Sequence, residues 1–204
     1  MPNFDFENKY KNKVVCGIDE AGLGPLAGPI VVASCIILNQ DMDKELLENI
    51  NDSKKITEKK REHLFEIINN DKNIKYKISI IEASDIDMLG LSNAWKKGVI
   101  ESITPDIDIC LIDGIKKVDI ENCYIETIVK GDQKSYSIAA ASIIAKVTRD
   151  RIMRTIHEEF PEYGFNKHFG YGTKFHMDML KKLGPCKFHR LCFSPVVDAL
   201  NKFK

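Results

Sequence analysis

The sequence feature that most constrains this chain is the segment 16–29, CGIDEAGLGPLAGP, in which an apolar run ends in two adjacent acids. The run is partly β-branched, which is typical of a buried strand. Charges near a core are costly unless they are paired or bind a metal. Neighbouring side chains on a strand point to opposite faces, so one of Asp19 and Glu20 can bind a metal directly while the other reaches it from the side or through water. The alternative is that both acids are solvated at a strand end, as Asp and Glu commonly are.

Three glycines and two prolines follow the acids directly: Gly22, Gly24, Gly28, Pro25 and Pro29. Glycine is used where the backbone must come close to another group. The segment therefore predicts a strand that carries metal-binding carboxylates, followed by a turn whose backbone approaches a bound ligand.

Length and composition indicate a soluble globular protein. The chain has 204 residues, enough for one domain, with 44% hydrophobic and 29% charged residues. No apolar run approaches the roughly 20 residues of a membrane span, and the start, MPNFDFENKYKNK, has acids and no apolar core, unlike a secretory signal. The six cysteines form no CxxC pair, so we expect reduced core residues of a cytosolic protein.

Charge is neutral overall but unevenly distributed. Residues 130–204 hold 14 Lys and Arg against 7 Asp and Glu, an excess of seven positive charges, and the remainder holds 16 against 23. A basic C-terminal part, to which Lys187-Phe188-His189-Arg190 adds, can present a positive face to phosphates. The alternative is an ordinary solvated helix surface.

The pattern of elements predicts an α/β fold without internal repeats or linkers, and therefore one domain over 1–204 with a helical C-terminal part from about 160. Thr57 is expected to cap a helix, Trp95 to lie in the core, and a Gly-Pro turn to join the first two strands as an antiparallel hairpin. The predicted strands are 14–20, 29–38, 74–82, 107–112 and 124–130. The predicted helices are 43–50, 58–69, 84–103, 136–159, 173–183 and 195–203.

Two more acids stand at the ends of predicted strands. Asp113 follows the apolar run 107–112 and precedes Gly114, and Asp132 follows the strand 124–130 and Gly131. Open α/β sheets place their sites at strand ends. Both acids are therefore candidates for the same site as Asp19 and Glu20.

The long helix 136–159 carries Ser142, Lys146 and Asp150 four residues apart, hence on one face. Ser142 and Lys146 lie nearer Asp132 and are therefore candidates for contact with a bound ligand. Asp150, between Arg149 and Arg151, is expected to pair with them on a solvated face, and is the reserve choice for a fourth site acid.

Two loops add candidates. Ser53, Lys54 and Lys55 can cradle a phosphate, although a polar loop before a helix is also ordinary. The stretch 164–176, GFNKHFGYGTKFH, concentrates glycine, aromatic and basic residues around Tyr171. Its two histidines are not spaced to share a metal on one helix, which argues against zinc.

The chain resembles the type 2 ribonuclease H family (ribonuclease HII). The family pattern Gly-Ile-Asp-Glu-Ala-Gly-Arg-Gly-Pro-Leu-Ala-Gly-Pro is matched from Gly17 to Pro29 except that Leu23 replaces the arginine. The family's Asp-Ser-Lys-Lys, Leu-Ile-Asp-Gly and Lys-Gly-Asp elements match around residues 53–55, 113 and 132. Its His-Lys-Gly-Tyr-x-Thr segment matches around Tyr171, with Phe169 in place of the lysine, and the resemblance runs from about 14 to 198.

The resemblance implies a ribonuclease H-like fold, with a central mixed five-stranded sheet flanked by helices and C-terminal helices that widen a substrate groove. It implies an endonuclease that cuts the RNA strand of RNA–DNA hybrids, and 5′ of ribonucleotides embedded in duplex DNA. Mg²⁺ or Mn²⁺ would be bound by Asp19, Glu20, Asp113 and Asp132, in keeping with the preference of hard cations for oxygen. The partner is nucleic acid rather than a membrane, and we expect a cytoplasmic monomer.

The implied substrate contacts are Gly22, Leu23, Gly24, Ser53, Lys54, Lys55, Ser142, Lys146 and Tyr171. Gly22 and Gly24 would bring main-chain groups to the 2′-hydroxyl that distinguishes RNA from DNA, and Tyr171 would pack on the nucleotide at the junction. Leu23 cannot make the charge-assisted bonds of an arginine. The alternative function is therefore a hybrid-binding protein with weakened or altered cleavage.

Overall fold

The computed structural model describes residues 1–50, 53 and 56–202, and a five-stranded mixed sheet lies at the centre of the fold. The strands are β1 (Val15–Ala21), β2 (Ile30–Ile37), β3 (Ile74–Ile81), β4 (Ile109–Asp113) and β5 (Tyr124–Ile128). Their order across the sheet is β3-β2-β1-β4-β5, and β4 pairs in parallel with both β1 and β5. The predicted fold class is confirmed, with all five strands close to their predicted positions.

Helices flank the sheet. They are α1 (Asp5–Asn8), α2 (Lys44–Asn49), α3 (Glu58–Asn70), α4 (Ala83–Leu89), α5 (Leu91–Ser102), α6 (Tyr136–Glu159), α7 (Phe165–His168), α8 (Lys174–Leu183) and α9 (Ser194–Leu200). Short 3₁₀ helices span Gly131–Gln133 and Pro161–Tyr163. Thr57 caps α3 by accepting a hydrogen bond from the Lys60 amide, and Trp95 is buried, both as predicted. Of the described helices, none combines the length and apolar character needed to cross a bilayer.

The chain divides into two compact units. The first comprises Met1–Ala21, Val32–Ser79 and Val99–Val147, and the second Gly22–Val31, Ile80–Gly98 and Thr148–Lys204. The expectation of one domain with a C-terminal helical extension remains a prediction.

The first unit is built on close packing of α6 against β1. A Cβ at Gly17 would overlap the backbone of Ser137 and Ile138, so only glycine allows the helix to approach here. Ile138 continues the contact into an apolar cluster with Ile109, Leu111 and Ile128. Glu7 fixes the start of the helix, because its Oε1 accepts bonds from the Ser137 amide at 2.9 Å and from the Ser135 and Ser137 hydroxyls.

The second unit has its own apolar core. One cluster contains Ala27, Met153, Ile156, Tyr163 and Phe165. Another contains Leu26, Leu180, Val196 and Ala199. Leu26 and Ala27 both belong to residues 22–29, called here the glycine-rich segment. The apolar residues of this segment therefore pack into the core of the second unit.

Several predicted boundaries were wrong. The helix predicted over 84–103 is two helices, because Gly90 has a φ of +74° that ends α4. The first strand carries both acids, as predicted, and ends one residue beyond them at Ala21. Asp150 is not on a solvated face: it is 2% exposed, and its neighbour Arg149 is 1% exposed.

Candidate active site

The register of β1 and β4 places two of the predicted acids side by side in the first unit. The last paired position joins Ile18 and Ile112, and the next residue on each strand is an aspartate, Asp19 and Asp113. Neighbouring strands lie about 4.8 Å apart, and residues at the same level of a parallel pair point to the same face. Two carboxylates far apart in sequence are therefore brought together by strand pairing.

Asp19 is buried among negative charge. It is 5% exposed, and loss of solvent, followed by the charges of Glu20 and Asp113, raises its pKa well above the usual value for an aspartate. Its Oδ1 accepts a 2.7 Å bond from the Glu20 amide, and the Ser142 hydroxyl also donates to it. Gly17 explains how Ser142 gets there: it lets α6 approach β1, and Ser142 lies one turn beyond Ile138 on that helix.

Glu20 follows Asp19 on β1 and, by strand alternation, points to the other face of the sheet. Its Oε1 lies 3.8 Å from the ammonium of Lys116. The two adjacent acids thus occupy different surroundings, as expected from the sequence.

Asp113 is tied to the segment that carries Asp132. The Gly131 amide donates a 2.6 Å bond to Asp113 Oδ1. The turn requires Lys130 in the left-handed region, with φ +57°, and glycine at 131, where a Cβ would lie 2.6 Å from Ile138 Cδ1. Asp132, 5% exposed, then enters the short 3₁₀ helix. The fourth acid is therefore one residue from an amide that holds the third.

Among the described residues Asp19 lies beside Asp113, but no three His, Cys, Asp or Glu side chains are gathered around one metal-binding point. The donor set nevertheless suits a hard divalent cation. It consists of carboxylate oxygens, and the buried negative charge around Asp19 would be offset by a bound cation.

Two of the predicted phosphate-binding residues, Ser53 and Ser142, are in contact. The hydroxyl oxygens of Ser142 and Ser53 lie 2.8 Å apart and are hydrogen-bonded, although the two residues are far apart in sequence. Arg61 holds this loop by donating to the carbonyls of Ser53 and Ile56. Lys54 and Lys55 lie outside the described residues. Lys146 follows Ser142 by one helical turn and is partly exposed.

In the second unit, a buried arginine supports the glycine-rich segment. Arg149 donates from Nε to the Pro29 carbonyl at 2.9 Å, from Nη2 to Ala27 at 3.1 Å and from Nη1 to Phe169 at 3.0 Å. A Cβ at Gly22, where φ is +103°, would overlap this guanidinium. Burial lowers the pKa of Arg149 to about 10.

Arg190 holds the same segment from a different part of the chain. It is 0% exposed and donates to the carbonyls of Gly22 at 2.5 Å, Leu23 at 3.0 Å and Gly28 at 2.8 and 3.0 Å. Burial lowers its pKa to about 9. The expectation that Arg190 contributes to a positive surface was wrong, because its donors are directed at backbone carbonyls. Sequence reasoning missed both arginines in this role.

Tyr171 is 46% exposed and lies beside the glycine-rich segment. Its Cε1 is 3.9 Å from the Cβ position of Gly24, and the Leu26 amide donates to the Gly170 carbonyl at 2.8 Å. Gly22, Leu23, Gly24 and Tyr171 thus belong to one compact unit. Asp150 lies in the same unit, whereas the four predicted acids all belong to the first.

The chain matches a family model described as Ribonuclease HII over residues 16–196. A curated Ribonuclease HII of Acetivibrio thermocellus is 51% identical over 185 residues, which cover 89% of this chain and 70% of the relative.

Solved structures show the same fold. The ribonuclease H2 of Pyrococcus horikoshii OT3 superposes with a TM-score of 0.77 at 24% identity, covering 93% of this chain and 98% of that one. A Bst-RNase HIII solved in complex with Mn²⁺ has a TM-score of 0.69 at 16% identity, covering 100% and 74%. Together with the paired aspartates of β1 and β4, the family match over most of the sequence shows that this chain belongs to the ribonuclease HII family and is a ribonuclease H enzyme.

Proposed function

We propose that this protein is an endonuclease that hydrolyses the RNA strand of RNA–DNA hybrids and cuts 5′ of single ribonucleotides embedded in duplex DNA, leaving a 3′-hydroxyl. The observation that carries the proposal is the register of β1 and β4, which sets Asp19 beside Asp113, with the Ser142 hydroxyl bonded to Asp19 and the charge of Glu20 near enough to raise its pKa. We propose that it acts as a monomer.

Asp19, Glu20, Asp113 and Asp132 would hold divalent cations, Mg²⁺ or Mn²⁺. When bound, these would polarise the scissile phosphate, favour deprotonation of the attacking water and neutralise the leaving oxygen. The Mn²⁺ complex of the Bst-RNase HIII, which shares the fold, is consistent with this choice of metal.

The chain's own groups would orient the substrate. Ser142 donates to Asp19 and is itself linked to Ser53, which supports a role for the two hydroxyls in contacting the backbone of the nucleic acid. Lys146, one turn further along α6, would add a positive charge, as would Lys54 and Lys55. Gly22 and Gly24 would contact the 2′-hydroxyl, and Tyr171, whose ring lies beside Gly24, would pack on the adjoining sugar.

The test is a cleavage assay on two end-labelled substrates, an RNA–DNA hybrid and a DNA duplex with one ribonucleotide, with and without Mg²⁺ or Mn²⁺. We expect Asp19→Asn and Asp113→Asn to lower the rate by at least about a hundredfold, because each removes an anionic metal ligand. Asp119→Asn, an exposed acid, is the matched control and should cut like the parent. Equal cleavage by Asp19→Asn and the parent would contradict the proposal.

The alternative, a hybrid-binding protein with weak cleavage, rests on Leu23. A metal titration that follows binding and cleavage of the hybrid in parallel separates the two functions. Binding without metal-dependent cutting would favour the alternative, whereas cutting that rises with metal concentration would favour the nuclease.

A further inference from the structure

Three histidines that are far apart in sequence are packed together in the second unit. His168, His176 and His189 are 8%, 0% and 1% exposed. The rings of His168 and His176 stack with centroids 4.5 Å apart, and those of His176 and His189 lie 5.2 Å apart. Burying three imidazoles requires hydrogen-bond partners for their nitrogens, and those partners define a chain of bonds.

The chain of bonds has one consistent direction when the rings are neutral. His189 Nδ1 faces the Cys186 amide at 3.0 Å, which can only donate, so His189 carries its proton on Nε2. His176 Nδ1 faces the Tyr171 carbonyl at 2.9 Å, which can only accept, so His176 carries its proton on Nδ1. The two Nε2 atoms are 3.0 Å apart, and these tautomers, assigned from the network, give one donor and one acceptor there.

The surroundings favour the neutral form that this network needs. Burial lowers the pKa of His176 to about 4 and that of His189 to about 3. A proton added to His176 would set two N–H groups against each other between the Nε2 atoms. A proton added to His189 would set its Nδ1–H against the Cys186 amide. The neutral relay, defined here as Cys186, His189, His176 and the Tyr171 carbonyl, is therefore the form present at neutral pH.

The relay ends on the backbone of a residue whose side chain is exposed. The Tyr171 carbonyl accepts hydrogen bonds from His176 and, at 2.8 Å, from the Thr173 amide. The Tyr171 amide donates to the His168 carbonyl at 2.9 Å. Gly170 before it, with φ +82°, has no room for a Cβ against the Ala27 carbonyl. The Tyr171 backbone is thus held on both sides while 46% of the residue's surface stays exposed.

We propose that His176 and His189 are positioning residues for Tyr171: as a neutral pair they hold its carbonyl and so fix the direction in which its ring meets the nucleotide at the RNA–DNA junction. The inference rests on the proposed function, in which Tyr171 packs on that nucleotide. Neither histidine contacts substrate, since both are buried. The relay acts through one backbone carbonyl.

Two substitutions at His189 separate this role from a purely structural one. His189→Gln places an amide donor near the position of Nε2, retaining the bond to His176 and losing the one from Cys186. His189→Asn places an oxygen near the position of Nδ1, retaining the bond from Cys186 and losing the one to His176. Positioning of Tyr171 depends on the first bond, and local packing of the Cys186 turn depends on the second.

On a DNA duplex with one ribonucleotide, we expect His189→Asn to raise KM about three- to tenfold, the equivalent of one buried hydrogen bond, with kcat nearly unchanged. His189→Gln should stay within about twofold of the parent. In a Tyr171→Ala background the two variants should become equal. The reverse order, or a difference that persists without the tyrosine ring, would overturn the proposal.

A readout independent of activity keeps the test decisive if cleavage is absent or a variant folds poorly. In the parent protein, ¹⁵N-histidine NMR should show His176 protonated on Nδ1 and His189 on Nε2. The opposite tautomers would overturn the relay. A parent that cuts no ribonucleotide-containing substrate but shows these tautomers would refute the proposed function while retaining the relay.

Discussion

At Leu23 the backbone and the side chain have separate roles. Its carbonyl accepts a 3.0 Å bond from Arg190, so the main chain of the glycine-rich segment is held without any contribution from the residue's side chain. The leucine is partly exposed, so a longer side chain can extend outward. Replacement by arginine should therefore change contacts to the substrate and leave the segment's conformation as it is.

We predict that Leu23→Arg lowers KM for a duplex with one ribonucleotide by about tenfold, because a charge-assisted hydrogen bond contributes about 1.5 kcal/mol or more. Leu23→Gln, of similar length but neutral, is the control and should change KM by less than about threefold. Steady-state kinetics and mapping of the cut position provide the measurement. Equal rates and equal cut positions for Leu23→Arg and the parent would reject a role for the missing arginine.

Individual residues differ in how far the sequence predicts them. The proximity of Asp19 and Asp113 could be predicted, because a buried apolar strand seldom ends in a carboxylate unless that charge is paired or binds a metal. Arg149 and Arg190 were not, because their partners are backbone carbonyls, which every residue possesses and no pattern reveals. The pairing of His176 with His189 depends on tertiary packing for the same reason.

Among the secondary-structure elements, the predicted types were correct and some of the ends were wrong. β1 continues to Ala21 because pairing with a neighbouring strand decides where a strand ends, and the apolar pattern of one strand contains no information about that neighbour. The apolar pattern over 84–103 runs through Gly90 without a break, yet the positive φ there divides it into α4 and α5. Local periodicity thus predicted the strands and the longer helices, and tertiary packing determines where they begin and end.

The close packing of α6 against β1 depends on Gly17. We predict that Gly17→Ala lowers the free energy of unfolding by about 1–3 kcal/mol, because its Cβ would overlap helix backbone that can move only as a whole. Cleavage should fall as well, since Ser142 would be displaced from Asp19. Chemical denaturation measures the effect, with Gly24→Ala, where a Cβ meets nothing closer than 3.9 Å, as control. Equal stability of the two variants would contradict this account.

The glycine-rich segment depends on the planar donor fork of Arg190. We predict that Arg190→Lys lowers the free energy of unfolding by about 2–4 kcal/mol even though the positive charge remains, because one ammonium cannot reach carbonyls on both sides of the turn. Thermal unfolding provides the measurement. Arg151→Lys, at an exposed site on α6, should unfold with the parent. A loss as large at Arg151 would show that the effect does not come from the fork.

At the scale of the whole molecule, the excess of positive charge in residues 130–204 remains although Arg190 is buried. Among the described residues of 130–204, two cations, Arg149 and Arg190, are buried, but so are two acids, Asp132 and Asp150. The excess of seven positive charges is therefore unchanged among the remaining residues. Attraction of phosphates to this part of the sequence remains a prediction, and it no longer depends on Arg190.

Folding also couples the buried histidines to pH. The folded pKa of His176, about 4, lies below its usual value of 6.5, as does that of His189, so between pH 4 and 6.5 the unfolded chain binds more protons than the folded one. The stability that the neutral rings contribute is therefore fully present above pH 6.5 and is lost as pH falls toward 4. Burial also lowers the pKa of the neighbouring His168, whereas it raises that of Tyr163 to about 12 and that of the half-buried Cys186, so these two groups stay protonated over this range.

We predict that the free energy of unfolding falls by about 2–3 kcal/mol on account of His176 between pH 6.5 and 4, since each unit of pKa difference corresponds to about 1.4 kcal/mol. Urea unfolding at half-unit pH steps gives the curve. Asp19, whose pKa is raised, contributes with the opposite sign, so the informative quantity is the parent curve minus that of His176→Gln. A difference curve that is flat over this range would mean that His176 is already protonated in the folded protein or is equally neutral in both states.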